Sequence, residues 1–135
     1  LRAVLPPPER RALLLVDPAY ELQSQDLAAA LAALGAALER LPSAVIALWY
    51  PIKDEREVPA LLRQAVAAWR TPALATELWV HPRDARVGLN GSGLLLLNPP
   101  YQCDVAMGEW LPELAAALGA GPAGGQRIQW LTDEH

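Results

Sequence analysis

Two short tetrads in this sequence have the makings of a chemical device. ALLLVDPAYE (12–21) is an apolar run that stops at Asp17, Pro18 and Tyr20, and LLLLNPPY (94–101) ends in much the same way. An acid, a proline and an aromatic at a strand end suit the handling of an exocyclic amine. The amine of adenine is a poor nucleophile because its lone pair is delocalised into the ring. Two acceptors set against its hydrogens draw the nitrogen toward tetrahedral geometry and aim the lone pair at an electrophile, which is positioning and electrostatic preorganisation. The Asp17 carboxylate and the Pro18 carbonyl oxygen are two such acceptors. Tyr20 offers a flat face to an extruded base, worth about 1–3 kcal/mol by the usual figures for stacking. Proline fixes its own φ and stiffens the turn that presents the acceptor. The plain alternative is that Asp-Pro merely starts a turn after a strand.

The elements around these residues follow from periodicity. LPPPERR (5–11) is a stiff entry that cannot be helical. ALLLV (12–16) is a continuous apolar run, the mark of a strand buried on both faces. Ser24 can cap a helix to about Leu41, with leucines 27, 31, 34, 38 and 41 in one stripe, and Leu41-Pro42 ends it. AVIALWY (44–50) reads as a second strand closed by Pro51. Pro59 suits the first turn of a helix to about Arg70, with Val58, Leu62, Val66 and Trp69 inward. LATELWV (74–80) and GLLLLN (93–98) are further strands, WLPELAAALG lies in a helix stopped by Gly119, and QRIQWLT (126–132) alternates as an edge strand. Strand, helix, strand, helix, strand is the grammar of a parallel sheet covered by helices, where ligands bind beyond the carboxyl ends of the strands. Asp17–Tyr20 and Trp49–Lys53 both fall at such ends.

NPPY fits the amine-handling formula by letter, but its position opposes it. A strand at 74–80, a turn-rich loop and a strand at 93–98 make an antiparallel pair, which sends NPPY to the other edge of the sheet from Asp17. NPPY therefore reads as a rigid strand exit. Ser92 in NGSG lacks the strand–helix elbow of a nucleophilic serine, and a hairpin turn is the simpler reading. His81, His135 and Cys103 are too scattered to bind metal. Trp49 and Tyr50, beside Pro51 and Lys53, are candidates to line a base pocket, with buried aromatic packing as the alternative. Lys53, Arg56, Arg83 and Arg86 could meet phosphates, although Asp54, Glu55 and Asp84 interleave with them as on a solvated mixed surface.

Composition bounds the class. The 135 residues are 53% hydrophobic and 19% charged, as in a globular domain or half of a larger one. A net charge of -4, with ten arginines and a single lysine, is not the footprint of a self-sufficient nucleic-acid binder. No apolar stretch approaches the ~18 residues of a membrane span, and LRAVLPPPERR lacks the apolar region of a signal peptide. One cysteine excludes an internal disulfide and agrees with a reducing, cytoplasmic setting. Leu1 is no initiator and the only methionine is Met107, so the chain reads as a piece of something longer.

LPPPERRALLLVDPAYE, ALWYPIK, ELWVHP and GLNGSGLLLLNPPY, in this order and spacing, resemble the carboxyl-terminal half of the RlmJ family. Those are bacterial methyltransferases that use S-adenosylmethionine to modify N6 of one adenine in 23S ribosomal RNA. The resemblance covers nearly the whole chain. It implies an α/β fold, the C-terminal half of a class I (Rossmann-like) methyltransferase, with a mostly parallel sheet, an antiparallel strand and helices on both faces. It implies that Asp17 is the catalytic acid and lies beside the cofactor, that Pro18 supplies the backbone acceptor, and that Tyr20 is the stacking ring. Trp49, Tyr50 and Lys53 are then the further substrate-side candidates. The family usually has a second proline where this chain has Ala19, which loosens the turn by about 0.4–1 kcal/mol.

The family's cofactor loop, adenosine-binding acid and N-terminal RNA-contacting residues have no counterpart here. The expectation is therefore a half-site: residues 1–135 form the C-terminal portion of one methyltransferase domain without its cofactor-binding half, inactive alone, in an intact protein expected to be a cytoplasmic monomer. ALLLV then forms an exposed apolar edge in isolation, so the chain either self-associates through that edge or was cut from an intact protein. Two other readings stay open: a DNA adenine methyltransferase, because the tetrad reads the base and not the sugar, and a non-catalytic nucleic-acid-binding protein linked to the use of external DNA.

Overall fold

The computed structural model describes residues 7–18, 24–67, 71–119 and 123–132. Their elements run β1 (Leu13–Val16), α1 (Ser24–Arg40), β2 (Val45–Ile52), α2 (Val58–Ala67), β3 (Ala73–Trp79), β4 (Gly91–Leu97), α3 (Cys103–Leu118) and β5 (Gly125–Trp130). One sheet has the strand order β1-β2-β4-β3-β5. β1 and β2 pair in parallel, whereas β4 is antiparallel to both β2 and β3, and β5 is antiparallel to β3. Three strands thus point one way, and the expected antiparallel strand, β4, is joined by a second, β5.

Helices cover both faces, as the α/β reading requires. The leucine stripe of α1 (Leu31, Leu34, Leu38) and α2's Val58, Leu62 and Ala65 pack with Ile46, Leu48 and Ile52 of β2 and Leu95 and Leu97 of β4. Each fully buried aliphatic side chain contributes about 1.5–3 kcal/mol relative to exposure. Leu41 ends the stripe in a small cluster with Ala37 and Ala44. On the other face α3 lays Cys103 and Met107 against a patch of Ala47, Leu74, Leu96, Ile128 and Trp130. Gly119 closes α3, donating its N–H to Ala115 O at 2.9 Å. The side chains of Ser24 and Leu27, and residues 68–70 with Trp69, lie outside the described residues.

Three sequence expectations need correction. β1 is not buried on both faces. Leu14 and Val16 turn to the core, but Leu13 and Leu15 are each 71% exposed. β1 is the edge of the described sheet, and α3 lies over β3 and β5 at the opposite side. Pro51 does not close β2, which continues to Ile52. β1 ends at Val16, level with Leu48, so β2 has lost that neighbour by position 51 and offers the kind of edge on which proline is tolerated. The GSG of NGSG is not a hairpin turn: Gly91, Ser92 and Gly93 are the first residues of β4, paired on both sides.

Candidate functional site

The site grows from the end of β1. Asp17 is exposed and Pro18 half-buried, immediately past the last paired residue of the strand. Val16 is level with Leu48, so the next positions along the two parallel strands are Asp17 and Trp49. Side chains alternate along a strand. Leu48 faces α1 and α2, so Trp49, half-buried, faces the other side, the side on which Leu13 and Leu15 are exposed. Asp17, Pro18 and Trp49 are therefore brought together at one rim. Ala19 and Tyr20 lie outside the described residues. Lys53 is exposed just beyond β2, farther along the same rim.

Tyr50 does not join them. It is fully buried on the α1/α2 face, and its hydroxyl donates to Glu77 Oε1 at 3.0 Å. Burial, reinforced by the Glu77 charge, pushes its phenol well above the ordinary tyrosine range. Core packing, the alternative reading of this residue, is what the fold uses.

Sequence reasoning missed the group that holds Tyr50. The register sets Tyr50, Gly93, Glu77 and Arg127 in one row across β2, β4, β3 and β5. A Cβ on Gly93 would lie 2.2 Å from Tyr50 Cζ and 2.4 Å from its hydroxyl oxygen. Gly93 thus leaves the gap through which the phenol reaches Glu77. Arg127 closes the row, its Nε 3.1 Å from Oε2 and its Nη2 3.0 Å from Oε1 of Glu77. Arg83 approaches the same carboxylate with Nη2 at 3.3 Å, donates Nε to Glu55 Oε2 at 2.9 Å and lies 4.3 Å from the centroid of the Trp79 ring. The Glu77 side chain is 0% exposed, and two guanidiniums and a phenol supply the partners that a buried carboxyl requires. A signal was available: an acid inside an otherwise apolar strand and an arginine inside the last one. Their register was not.

The second tetrad sits at the other end of the sheet. Leu97 pairs with Ile46 near the start of β2, whereas Asp17 lies past the end of β1. Asn98 has φ 51°, a left-handed conformation that asparagine tolerates better than most residues. Its Nδ2 donates to Pro42 O at 2.7 Å and to Ala44 O at 3.0 Å, and its backbone N–H donates to Pro72 O at 2.9 Å. NPPY is a clamp on the loops that enter β2 and β3, and Tyr101 is exposed beyond it. Asn90, buried at the start of β4, clamps the opposite end: its Oδ1 accepts from His81 N at 2.9 Å and its Nδ2 donates to Pro82 O at 2.8 Å.

Among the described residues no group of histidine, cysteine and carboxylates is arranged to hold a metal ion. The glycines of β4 are committed to close strand packing. The space above Gly91 is taken by the Leu78 carbonyl and that above Gly93 by Tyr50; Gly88 and Gly108 face open space but lie in a strand–strand loop and within α3.

A sequence family described as "Ribosomal RNA large subunit methyltransferase D, RlmJ" matches residues 1–132. The chain is 31% identical to the ribosomal RNA large subunit methyltransferase J of Escherichia coli over 99% of its own length and 48% of that protein's. For the protein of the same name from Haemophilus influenzae the figures are 32%, 99% and 47%. The crystal structure of protein LPL1258 from Legionella pneumophila superposes with a TM-score of 0.80 at 26% identity, over 95% of this chain and 46% of that one. The chain thus spans about half the length of the relatives it matches. With that match running from the first residue to within three of the last, it belongs to the RlmJ family of ribosomal RNA large subunit methyltransferases.

Proposed function

We propose that this chain is the substrate-facing portion of a single methyltransferase domain that acts on N6 of an adenine in 23S ribosomal RNA. The observation that carries the reading is the exposed Asp17-Pro18 step at the end of an apolar strand, level with Trp49, in a chain of this family. In this mechanism the Asp17 carboxylate and the Pro18 carbonyl each accept a hydrogen bond from the target amine. They hold its lone pair outward and tighten as positive charge develops on nitrogen, when Asp17 is the natural proton acceptor. Tyr20 stacks on the extruded base, and Trp49 supports the apolar wall on the same side. S-adenosylmethionine, when bound, supplies the methyl group, and residues outside these 135 hold it.

The test is methyl transfer to a 23S rRNA fragment by the intact protein. Asp17→Ala and Asp17→Asn should each lower kcat by at least about 10²–10³, the loss seen when one preorganised electrostatic partner is removed. Near-normal turnover in both variants would take Asp17 out of the mechanism.

A further inference from the structure

At the same end of the sheet as Asp17, the loop after β2 and the loop between β3 and β4 enclose a cleft of about 720 Å³. One wall carries Lys53 to Glu57 and the other Arg83 to Arg86 with Gly88. Its charged side chains fall into two groups. Arg56 is taken up by Asp54, with Nε 2.9 Å from Oδ1, and these bonds hold the Asp54 carboxyl down to about 2. Arg83 is taken up by Glu55 and Glu77 and so ties one wall to the other and to the core. Lys53 and Arg86 are exposed and form no ion pair with any described residue. Each wall therefore keeps one exposed cation outside these ion pairs, although the charge of Arg86 also acts on the Asp54 carboxyl, and Arg83 ties the two walls together. Glu57 and Asp84 also line the cleft, and they disfavour a small diffusible anion with several charges at one point.

We infer that this cleft is a subsite for the phosphodiester backbone of the RNA strand flanking the target adenine, contacted by Lys53 from one wall and Arg86 from the other. The inference rests on the proposed RNA methyltransferase function. Trp49 is level with the position after Val16, and β2 runs three residues farther to Ile52, about 10 Å at ~3.3 Å per residue. A strand whose base is held at Asp17 thus has its neighbouring phosphates within reach of the cleft. Two point charges on opposite walls suit an extended single strand, whose phosphates are spaced along a line. They also explain how a chain with net charge -4 takes part in RNA binding: its contribution is local.

The experiment measures the affinity of the intact protein for a 23S rRNA fragment across a salt series, alongside methylation of that fragment. Removing the cation that neutralises one phosphate should lower the slope of log K against log salt by about 0.7 for a single strand. Lys53→Gln and Arg86→Gln should each lose that increment, and the double variant about twice it. Arg63→Gln, an exposed cation on α2 away from this cleft, should leave the slope unchanged. Unchanged slopes in Lys53→Gln and Arg86→Gln, or an equal loss in Arg63→Gln, overturn the subsite while methylation by the wild type upholds the enzyme. Absence of wild-type methylation overturns both.

Discussion

Gly93→Ala should be among the most damaging single-atom additions to this protein, and its cost follows from the row in which it sits. The new methyl would lie 2.2–2.6 Å from three atoms of the Tyr50 phenol, well inside contact distance. The ring cannot yield toward β2, where Ile46, Leu48 and Ile52 surround it in a closed core. It must swing away from Glu77. Overpacking of this sort costs about 1–3 kcal/mol. Losing a buried hydrogen bond to a charged group adds about 1.5–3 kcal/mol, so the total is about 2.5–6 kcal/mol. Urea unfolding of the intact protein should show a lower midpoint at an unchanged slope. The mechanism is checked by a cycle. In a Tyr50→Leu background the methyl enters space already vacated, so most of the Gly93→Ala penalty should vanish, a coupling of about 2–3 kcal/mol. A penalty below about 1 kcal/mol, or one equal in both backgrounds, would refute the claim that Gly93 exists to let Tyr50 through.

Other outcomes follow from single features. Because burial first, and the Glu77 charge second, raise the Tyr50 phenol, its contribution to stability is complete below pH 10 and is lost as alkali ionises the unfolded chain. An absorbance titration should show Tyr50 ionising only as the helical circular dichroism collapses, and ionisation of all three tyrosines with the signal intact would contradict it. Asn98→Ala should cost about 1–3 kcal/mol in thermal or urea unfolding, through two orphaned carbonyls and a strained positive φ. Asn98→Gly keeps the conformation and should recover only part of that loss; full recovery would make the hydrogen bonds irrelevant. With Leu13 and Leu15 each 71% exposed on an edge strand, the 135-residue chain should self-associate in light scattering, and Leu13→Lys with Leu15→Lys should shift it toward monomer. A monodisperse wild-type monomer would count against that edge as a sticky surface.

The elements were legible because periodicity reports which face of each is buried. The leucines of α1 recur at helical spacing and go to the core, and the stop at Gly119 needs only the chemistry of helix ends. The tetrads stood out for a similar local reason, an apolar run that stops at a carbonyl-bearing side chain and a proline. What was hidden depends on register, which no local pattern encodes. Tyr50 shares its parity with Ile46, Leu48 and Ile52, so burial was one open reading, but only the alignment of Gly93 between Tyr50 and Glu77 decides for it. Glu77 shows the same limit. An acid in LATELWV looks like the exposed side of an edge strand until Arg127 is placed level with it. GSG misled because glycines in sequence suggest a turn, whereas Gly91 and Gly93 serve close approach of neighbouring strands, Leu78 O standing 2.1 Å from where a Gly91 Cβ would be.

DPAY and NPPY show how little four letters determine. Both follow an apolar strand, and both place a carbonyl-bearing side chain before proline. They differ in strand direction. β1 runs with β2 and delivers Asp17 exposed to the rim with Trp49 and Lys53; β4 runs against β2 and delivers Asn98 to the start of β2, where every donor it has is used on Pro42, Ala44 and Pro72. Both amide hydrogens of Asn98 are spent on the backbone it clamps, which ties this side chain into the fold, whereas Asp17 stands exposed at its strand end. Strand polarity thus decides which end of the sheet each tetrad reaches, and the antiparallel turn from β3 to β4 is the feature that sets the two apart.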